Sequence, residues 1–172
     1  KNLEGNFIAR PTRHIRIFDC VSEFGHGIVI GSEMSGGVED VRIWDCDLAR
    51  AMQGIEIKGT AKRGGYVRDI RLTDCTAARV LMHAVSYNDD GLSASKPPIF
   101  ENITFRRVRI LGKSLGHDGT AVSCPGIELC GFEKSGHEIR NVAFIDCSLA
   151  AGNKGIMLDR CENVNFQNLS CE

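Results

Sequence analysis

One short pattern recurs six times along the chain, and it limits the possible folds more than any other feature. Residues 14–20, 40–46, 69–75, 102–108, 141–147 and 163–169 each open on a polar residue and continue as apolar-x-apolar. Most copies close with an aspartate and a cysteine. Each copy is too short for a helix and alternates with period two, so each reads as a strand. A second strand follows most of them. Residues 27–30, 54–58 and 155–158 share the form Gly-Ile-x-apolar. Residues 84–87 read as a weaker copy, and residues 122–129 as another, interrupted by Pro125. The repeat distance is about 22 to 39 residues, within the range of stacked-coil architectures.

Positions that recur once per coil call for like to stack on like. Strand–helix–strand alternation is missing, and so are hairpin turns of the Asn-Gly type. The pattern therefore predicts an all-β fold, a single-stranded parallel β-helix of about six coils. Inward Ile, Val, Leu and Phe would form its ladders. Longer insertions place loops at residues 88–98, 112–120 and 130–138. Before residue 13 no amphipathic helix is visible that would cap the first coil. A bare first coil would expose strand edges and apolar interior and would tend to self-associate. Residues 1–172 are accordingly expected to be the C-terminal coils of a β-helix whose N-terminal coils and cap lie outside them.

Eight cysteines suggest a disulfide framework until their placement is considered. Cys20, Cys46, Cys75 and Cys147 hold one repeat position that Val108 and Leu169 hold in other coils. A slot that accepts Cys, Val or Leu is a buried apolar one, where a free thiol packs as a small hydrophobe. Cys124 and Cys130 flank a turn and are left open as a pair. No Cys-x-x-Cys occurs, so zinc is not expected; with no phosphate loop and no calcium-type acidic cluster in the sequence, no other metal or cofactor is expected either.

Two polar residues beside the second strands carry the chemical interest. His26 stands between Gly25 and Gly27 at the start of one, and glycines on both sides let a ligand approach the backbone. Lys58 closes the next, where a lysine can hold a carboxylate as a point charge. Each alone also fits a solvated surface group. If the strands stack, both groups stand on one wall about a strand spacing apart. Arg16, Arg42 and Arg71 also recur, but on the other strand of each coil. We read them as a solvated stripe neutralised by Asp19, Asp45 and Asp74 rather than a polyanion grip. Asp89 and Asp90 sit beside Gly91 and read as a turn. His83, His117 and His137 lie near turns and are given no role. A net charge of -1 gives no support to a nucleic-acid or membrane-surface partner, and no run approaches the length of a membrane span.

The words Gly25-His26-Gly27, Gly31-Ser32-Glu33-Met34-Ser35-Gly36-Gly37, Gly54-Ile55-Glu56-Ile57-Lys58 and Lys62-Arg63-Gly64-Gly65 resemble those of glycoside hydrolase family 28, the polygalacturonases and related pectin hydrolases. The order and spacing follow that family's Gly-His-Gly block, its Arg-Ile-Lys block and the glycine turn after it. The resemblance implies a right-handed parallel β-helix acting on a pectin-type polysaccharide or oligosaccharide. His26 would be the active-site histidine, Lys58 the lysine that binds the substrate carboxylate, and Tyr87 a subsite tyrosine. A secreted or periplasmic setting would follow from the same resemblance.

This sequence departs from the family twice. Glu56 replaces the arginine of the Arg-x-Lys word, so an anion stands where a planar cation would clamp galacturonate. Glu56 would then neutralise Lys58 or bind sugar hydroxyls, and a less acidic sugar is favoured. Inverting hydrolysis also needs a carboxylic acid and a carboxylate across the sugar ring. The family carries these in Asn-Thr-Asp and Asp-Asp words ahead of Gly-His-Gly, and the roughly 24 residues that precede it here contain neither. The expectation is therefore part of a hydrolase cleft, inactive by itself. The alternative is a non-catalytic β-helical carbohydrate-binding or structural module.

Overall fold

The computed structural model describes residues 1–87, 91–150 and 154–171. In chain order the elements begin with helix α1 (Asn2–Ile8) and strands β1 (Thr12–Phe18), β2 (Gly27–Ile30), β3 (Val38–Trp44), β4 (Asp47–Leu48) and β5 (Gly54–Gly59). Strands β6 (Tyr66–Ala77), β7 (Arg79–Ala84), β8 (Ile99–Ile110), β9 (Ser114–Leu115), β10 (Ala121–Val122) and β11 (Ile127–Cys130) follow. The last are β12 (Ile139–Ile145), β13 (Ser148–Leu149), β14 (Ile156–Asp159), β15 (Cys161–Gln167) and β16 (Ser170–Cys171). One parallel sheet runs β1-β3-β6-β8-β12-β15, with the short β4, β13 and β16 alongside. A second parallel sheet runs β2-β5-β7-β11-β14. The chain alternates between them coil by coil, as a right-handed parallel β-helix.

The repeat pattern is a pattern of corners as well as strands. His14, Asp40, Asp69, Asn102, Asn141 and Asn163 open the six copies, and all have φ of 51 to 61°. Asp19, Asp45, Asp74, Arg107, Asp146 and Asn168 close them, with φ of 50 to 55°. Left-handed backbone is costly for most side chains and least so, glycine apart, for Asn and Asp. The acids at the repeat ends therefore serve the bend. Between the bends the inward residues stack in register: Ile15 on Val41, Ile70, Ile103, Val142 and Val164. The next rung runs Ile17, Ile43, Leu72, Phe105, Phe144 and Phe166.

The thiol slot holds too. Cys46, Cys75, Val108 and Cys147 are buried, while Cys20 in the first coil is exposed. All eight cysteines are free, Cys124 and Cys130 included.

Four expectations need correction. First, the strand of the third coil is β7, and residues 84–87 are its exit. Arg79 is in register with Gly54, so the Gly-first template misplaced it. Second, the strand expected within residues 122–129 is β11, and it begins only at Ile127, beyond Pro125. Residues 121 and 122 form β10, which pairs antiparallel with β9 as a small hairpin. Third, Arg16 bonds Asp40, Arg42 bonds Asp40 and Asp69, and Arg71 reaches Asp69 at 3.6 Å. The stripe is neutralised, but by Asp40 and Asp69, which open the repeats, rather than by Asp19, Asp45 and Asp74, which close them. Asp74 pairs with Arg107 instead.

Fourth, the N-terminal residues do form a helix. Gly5 in α1 stands so close to the loop after β2 that a Cβ would lie 2.8 Å from Ser35 Cβ. Asn6 Nδ2 donates to Ser35 O at 2.7 Å and to Arg63 O at 2.8 Å. These contacts seat α1 against the side of the coil stack. The opening at the first coil is lined by Ile15, Ile17, Ile28 and Ile30 and by no residue of α1.

Candidate functional site

The second sheet forms the wall. Alternation sends Ile55 and Ile57 of β5, Val80 and Met82 of β7, and Ile127 and Leu129 of β11 into the core. The residues between them face out. One outward row runs Val29, Glu56, Leu81, Glu128 and Met157. The next runs Lys58, His83, Cys130 and Asp159.

His26 enters this wall from the turn before β2. Gly27 has φ of 91°, and a Cβ there would lie 2.2 Å from Gly54 O. Only glycine allows this approach, and it brings the His26 carbonyl to the Gly54 amide at 3.1 Å. His26 and Lys58 are not at matching register positions, since Gly27 pairs with Gly54 and Lys58 comes four residues later. They meet through a third residue. Glu56 Oε2 lies 3.1 Å from His26 Nδ1 and 3.2 Å from Lys58 Nζ, while Glu56 Oε1 lies 3.0 Å from His83 Nε2. The Glu56 side chain is only 4% exposed, against 43% for His26, 26% for His83 and 17% for Lys58.

Burial is the largest single influence on the Glu56 carboxyl and pushes its pKa up. The hydrogen bond from His83, the charge and hydrogen bond of Lys58, and the bond from His26 together outweigh it and hold the group at about 2. Glu56 is thus an anion throughout the working range, and an ionised carboxylate can only accept. Both imidazoles must therefore carry their proton on the nitrogen that faces it. That leaves His26 Nε2 and His83 Nδ1 as the second ring nitrogens on the solvent side. Around the far edge, His117 from the loop before β10 sets its ring 6.1 Å from that of His26 in an edge-on arrangement.

The expectation that Glu56 neutralises Lys58 fits this geometry. The expectation that it binds sugar hydroxyls does not, because both oxygens are buried and already engaged. His83 and His117 are the functional candidates that the sequence did not disclose. Tyr87 stands apart from the carboxylate. Its Oη accepts from Ser32 Oγ at 3.2 Å, and the Arg63 guanidinium lies 5.8 Å from its ring centre. It lines a cavity of about 520 Å³ at the strand exits, with Lys62, Phe132, Lys134 and Arg160. Asp89 and Asp90 fall outside the described residues.

The remaining motif words are scaffold. Arg63 is 1% exposed, with Nε on Ser32 O at 2.6 Å and Nη2 on Glu33 Oε1 at 3.2 Å, and it also bonds Asn2. It ties the loop after β2, the turn after β5 and α1 into one block beneath Tyr87.

Stacked parallel coils with a His–Glu–Lys–His cluster on their outer wall define a β-helix protein with a polar cluster on one sheet. The model of the glycosyl hydrolases family 28 matches residues 7–171, and the chain belongs to that family. A "Probable polygalacturonase" of Vitis vinifera is 45% identical over 58 residues, which are 33% of this chain and 12% of that protein. A hyperthermoactive exopolygalacturonase from Thermotoga maritima shares the fold at a TM-score of 0.75 and 19% identity. That match covers 100% of this chain and 37% of the other. The family 28 exopolygalacturonase of Yersinia enterocolitica gives 0.69 at 21% identity, over 90% of this chain and 31% of its own. The chain thus spans about a third of the length of the solved relatives it matches.

Proposed function

We propose that this chain supplies one wall of the substrate cleft of a polygalacturonase-like hydrolase acting on a pectin-type polysaccharide or oligosaccharide. The observation that carries the reading is the shared oxygen of Glu56. It draws His26 and Lys58, from different coils, onto one point of the wall. His26 Nε2 is the group offered to the reacting centre, where an imidazole can take or give a proton near neutral pH. Lys58 uses one of its donors on Glu56 and keeps others for an anionic sugar. Tyr87 offers a ring face and a hydroxyl at the strand exits, suited to the next sugar along. Glu56 orients both groups and does not itself touch substrate.

Inversion also needs an acid and a base carboxyl about 6.5–9.5 Å apart. Among the described residues, the wall carboxylates are engaged: Glu56 with three donors, Glu128 with Arg79 and Asp159 with Arg160. In this proposal the acid and base belong to chain outside these residues. The test is release of reducing ends from polygalacturonate by the full natural chain. His26→Ala is expected to cut turnover by more than about tenfold, and unchanged turnover removes His26 from the site. Saccharide binding with no release of reducing ends would instead favour the non-catalytic module.

A further inference from the structure

We propose that His26 and His117 form a two-imidazole site for a divalent transition-metal ion such as Ni²⁺ or Zn²⁺, and that the bound ion inhibits by occupying His26 Nε2. The site stands on geometry alone. Its inhibitory effect rests on the reading of His26 as the group offered to the reacting centre. The pair is assembled by the hairpin β9–β10. After β8 the chain runs back over earlier coils. Leu111 N donates to Ala77 O at 2.9 Å and Lys113 N to Ala78 O at 3.1 Å. Ser114 Oγ and Leu115 N then both donate to Met52 O, at 2.8 and 3.3 Å. Met52 N in turn donates to Gly25 O at 2.6 Å. One residue, Met52, thus ties the root of the hairpin to the glycine before His26. The tip is closed on itself. Gly116 N bonds Thr120 O at 2.8 Å, and Asp118 Oδ1 accepts from Thr120 N and Oγ1 at 3.0 and 2.7 Å. His117 is thereby set against His26, with ring centres 6.1 Å apart and planes at 62°. No spacing along the sequence announces the pair, because only the path of the hairpin brings it together.

A metal-binding histidine almost always donates its other ring N–H to a carboxylate or carbonyl, which fixes its tautomer and makes the ligating nitrogen more basic. His26 is built this way. Its Nδ1 is engaged by Glu56 Oε2, so Nε2 presents a lone pair on the solvent side. The His117 ring is exposed and makes no hydrogen bond among the described residues, so it is free to turn a nitrogen toward the same point. With metal–nitrogen bonds of about 2.0–2.1 Å, two imidazoles on one ion have ring centres about 5.2 Å apart at a tetrahedral angle and about 6.4 Å apart when opposed. The observed 6.1 Å falls inside that span. Among the described residues no group of three or more ligating side chains gathers to hold a metal. The pair therefore makes an exchangeable site completed by water rather than a structural one. Imidazole suits Zn²⁺, Cu²⁺ and Ni²⁺, whereas Mg²⁺ and Ca²⁺ prefer oxygen. The charged groups around the pair favour a cation. Asp118 stands beside His117, and the Thr120 hydroxyl and amide hold its carboxyl below the usual range. Glu56 is ionised behind His26 and is shared with Lys58 and His83. With the histidines neutral, that is two anions against one cation. Both ligands must be unprotonated, so affinity falls as pH drops through the histidine range.

Calorimetric titration of the full natural chain with NiCl₂ tests the site without reference to turnover. One ion per chain is expected at pH 7.5, bound about tenfold more weakly at pH 5.5, and MgCl₂ should not compete. His117→Gln keeps a polar side chain of similar size on the exposed tip but removes the imidazole. It should weaken Ni²⁺ about tenfold at pH 7.5, and His26→Gln should do the same. No binding by the wild type overturns the proposal. So does unchanged binding in a folded His117→Gln protein, which would place the ion elsewhere, on the free thiols for example. The inhibitory effect is read separately, as release of reducing ends from polygalacturonate at a fixed free Ni²⁺ concentration, since the polymer itself takes up the ion. Wild-type turnover should fall at least about fivefold at saturating Ni²⁺ and recover with EDTA. His117→Gln, compared with its own metal-free rate, should need about ten times more Ni²⁺ for the same loss. Ni²⁺ bound with turnover unaffected overturns the inhibition. Absence of turnover in the metal-free wild type removes the hydrolase reading instead, and the metal site then stands or falls on the calorimetry.

Discussion

Glu56→Ala in the full natural chain is expected to lower turnover on polygalacturonate by about a hundredfold, although Glu56 touches no substrate in the reading above. Its carboxylate fixes the proton on His26 Nδ1 and on His83 Nε2 and holds Lys58 between them. Without it the imidazoles lose their tautomer and their orientation. Loss of an orienting carboxylate behind a catalytic histidine is costly even when the rest of the geometry survives. Glu56→Gln is the sharper variant. Its side-chain oxygen can still serve one donor, but its amide turns N–H groups toward another. Turnover should stay low while the fold holds, and kcat should fall more than KM rises. Full activity in Glu56→Gln would show that the cluster does not orient the reacting group.

The same substitution has a stability arm with a definite sign. The carboxyl sits at about 2 rather than at an ordinary 4.5. The folded state therefore favours its ionised form by about 3 kcal/mol, from 1.36 kcal/mol per pH unit. A depressed carboxyl contributes this above its unfolded pKa and loses it as pH falls from about 4.5 toward 2. Breaking a buried ion pair from one side costs a similar amount, about 3 kcal/mol. Denaturant unfolding at pH 7 should separate wild type from Glu56→Ala by that order, and the gap should shrink to about 1 kcal/mol near pH 2.5. An equal gap at both values would mean that the loss comes from packing volume and not from charge.

What the sequence disclosed divides along physical lines. The coils were legible because their signals are local. Alternation with period two marks the strands, and Asp or Asn at the left-handed bends marks five of the six corners on each side, with His14 and Arg107 the exceptions. The second glycine of Gly25-His26-Gly27 was legible because a Cβ at Gly27 would lie 2.2 Å from Gly54 O, which leaves no alternative to glycine there. His83 was hidden by a misplaced strand. Arg79 takes the register position of Gly54, so a search for Gly-Ile-x-apolar passes it by. The signal was still present. Val80 and Met82 repeat the apolar spacing of Ile55 and Ile57, and that alignment puts His83 on Lys58. The role of Glu56 depends on His26 and His83 from neighbouring coils, and no local pattern reports a contact between coils. Helix α1 was missed for a related reason. It has Gly5 at its middle and no side-chain cap at its start, so it owes its place to Ser35 and Arg63. His117 reaches His26 through a loop whose path no periodicity describes.

Phe144→Ala is expected to destabilise the domain by about 3–5 kcal/mol, the range for emptying a buried aromatic site. Phe144 is the middle of three stacked rings, 4.6 Å from Phe105 and 5.2 Å from Phe166 by ring centres, at interplanar angles of 5° and 13°. Phe105 and Phe144 are fully buried, whereas Phe166 is 38% exposed. In a parallel stack each ring is held by the coils on either side, so neighbours cannot collapse into the gap without shifting register. That places Phe144→Ala toward the upper end of the range. Phe144→Leu keeps most of the volume and should cost about 1–2 kcal/mol. Phe166→Ala should cost less than Phe144→Ala because its ring already meets water. Chemical denaturation of the three variants measures the order directly. A loss below about 1 kcal/mol for Phe144→Ala would mean that the ladder adjusts rung by rung. The wall that holds Glu56, Lys58 and His83 in register would then owe its rigidity to the backbone ladder rather than to the side chains stacked behind it.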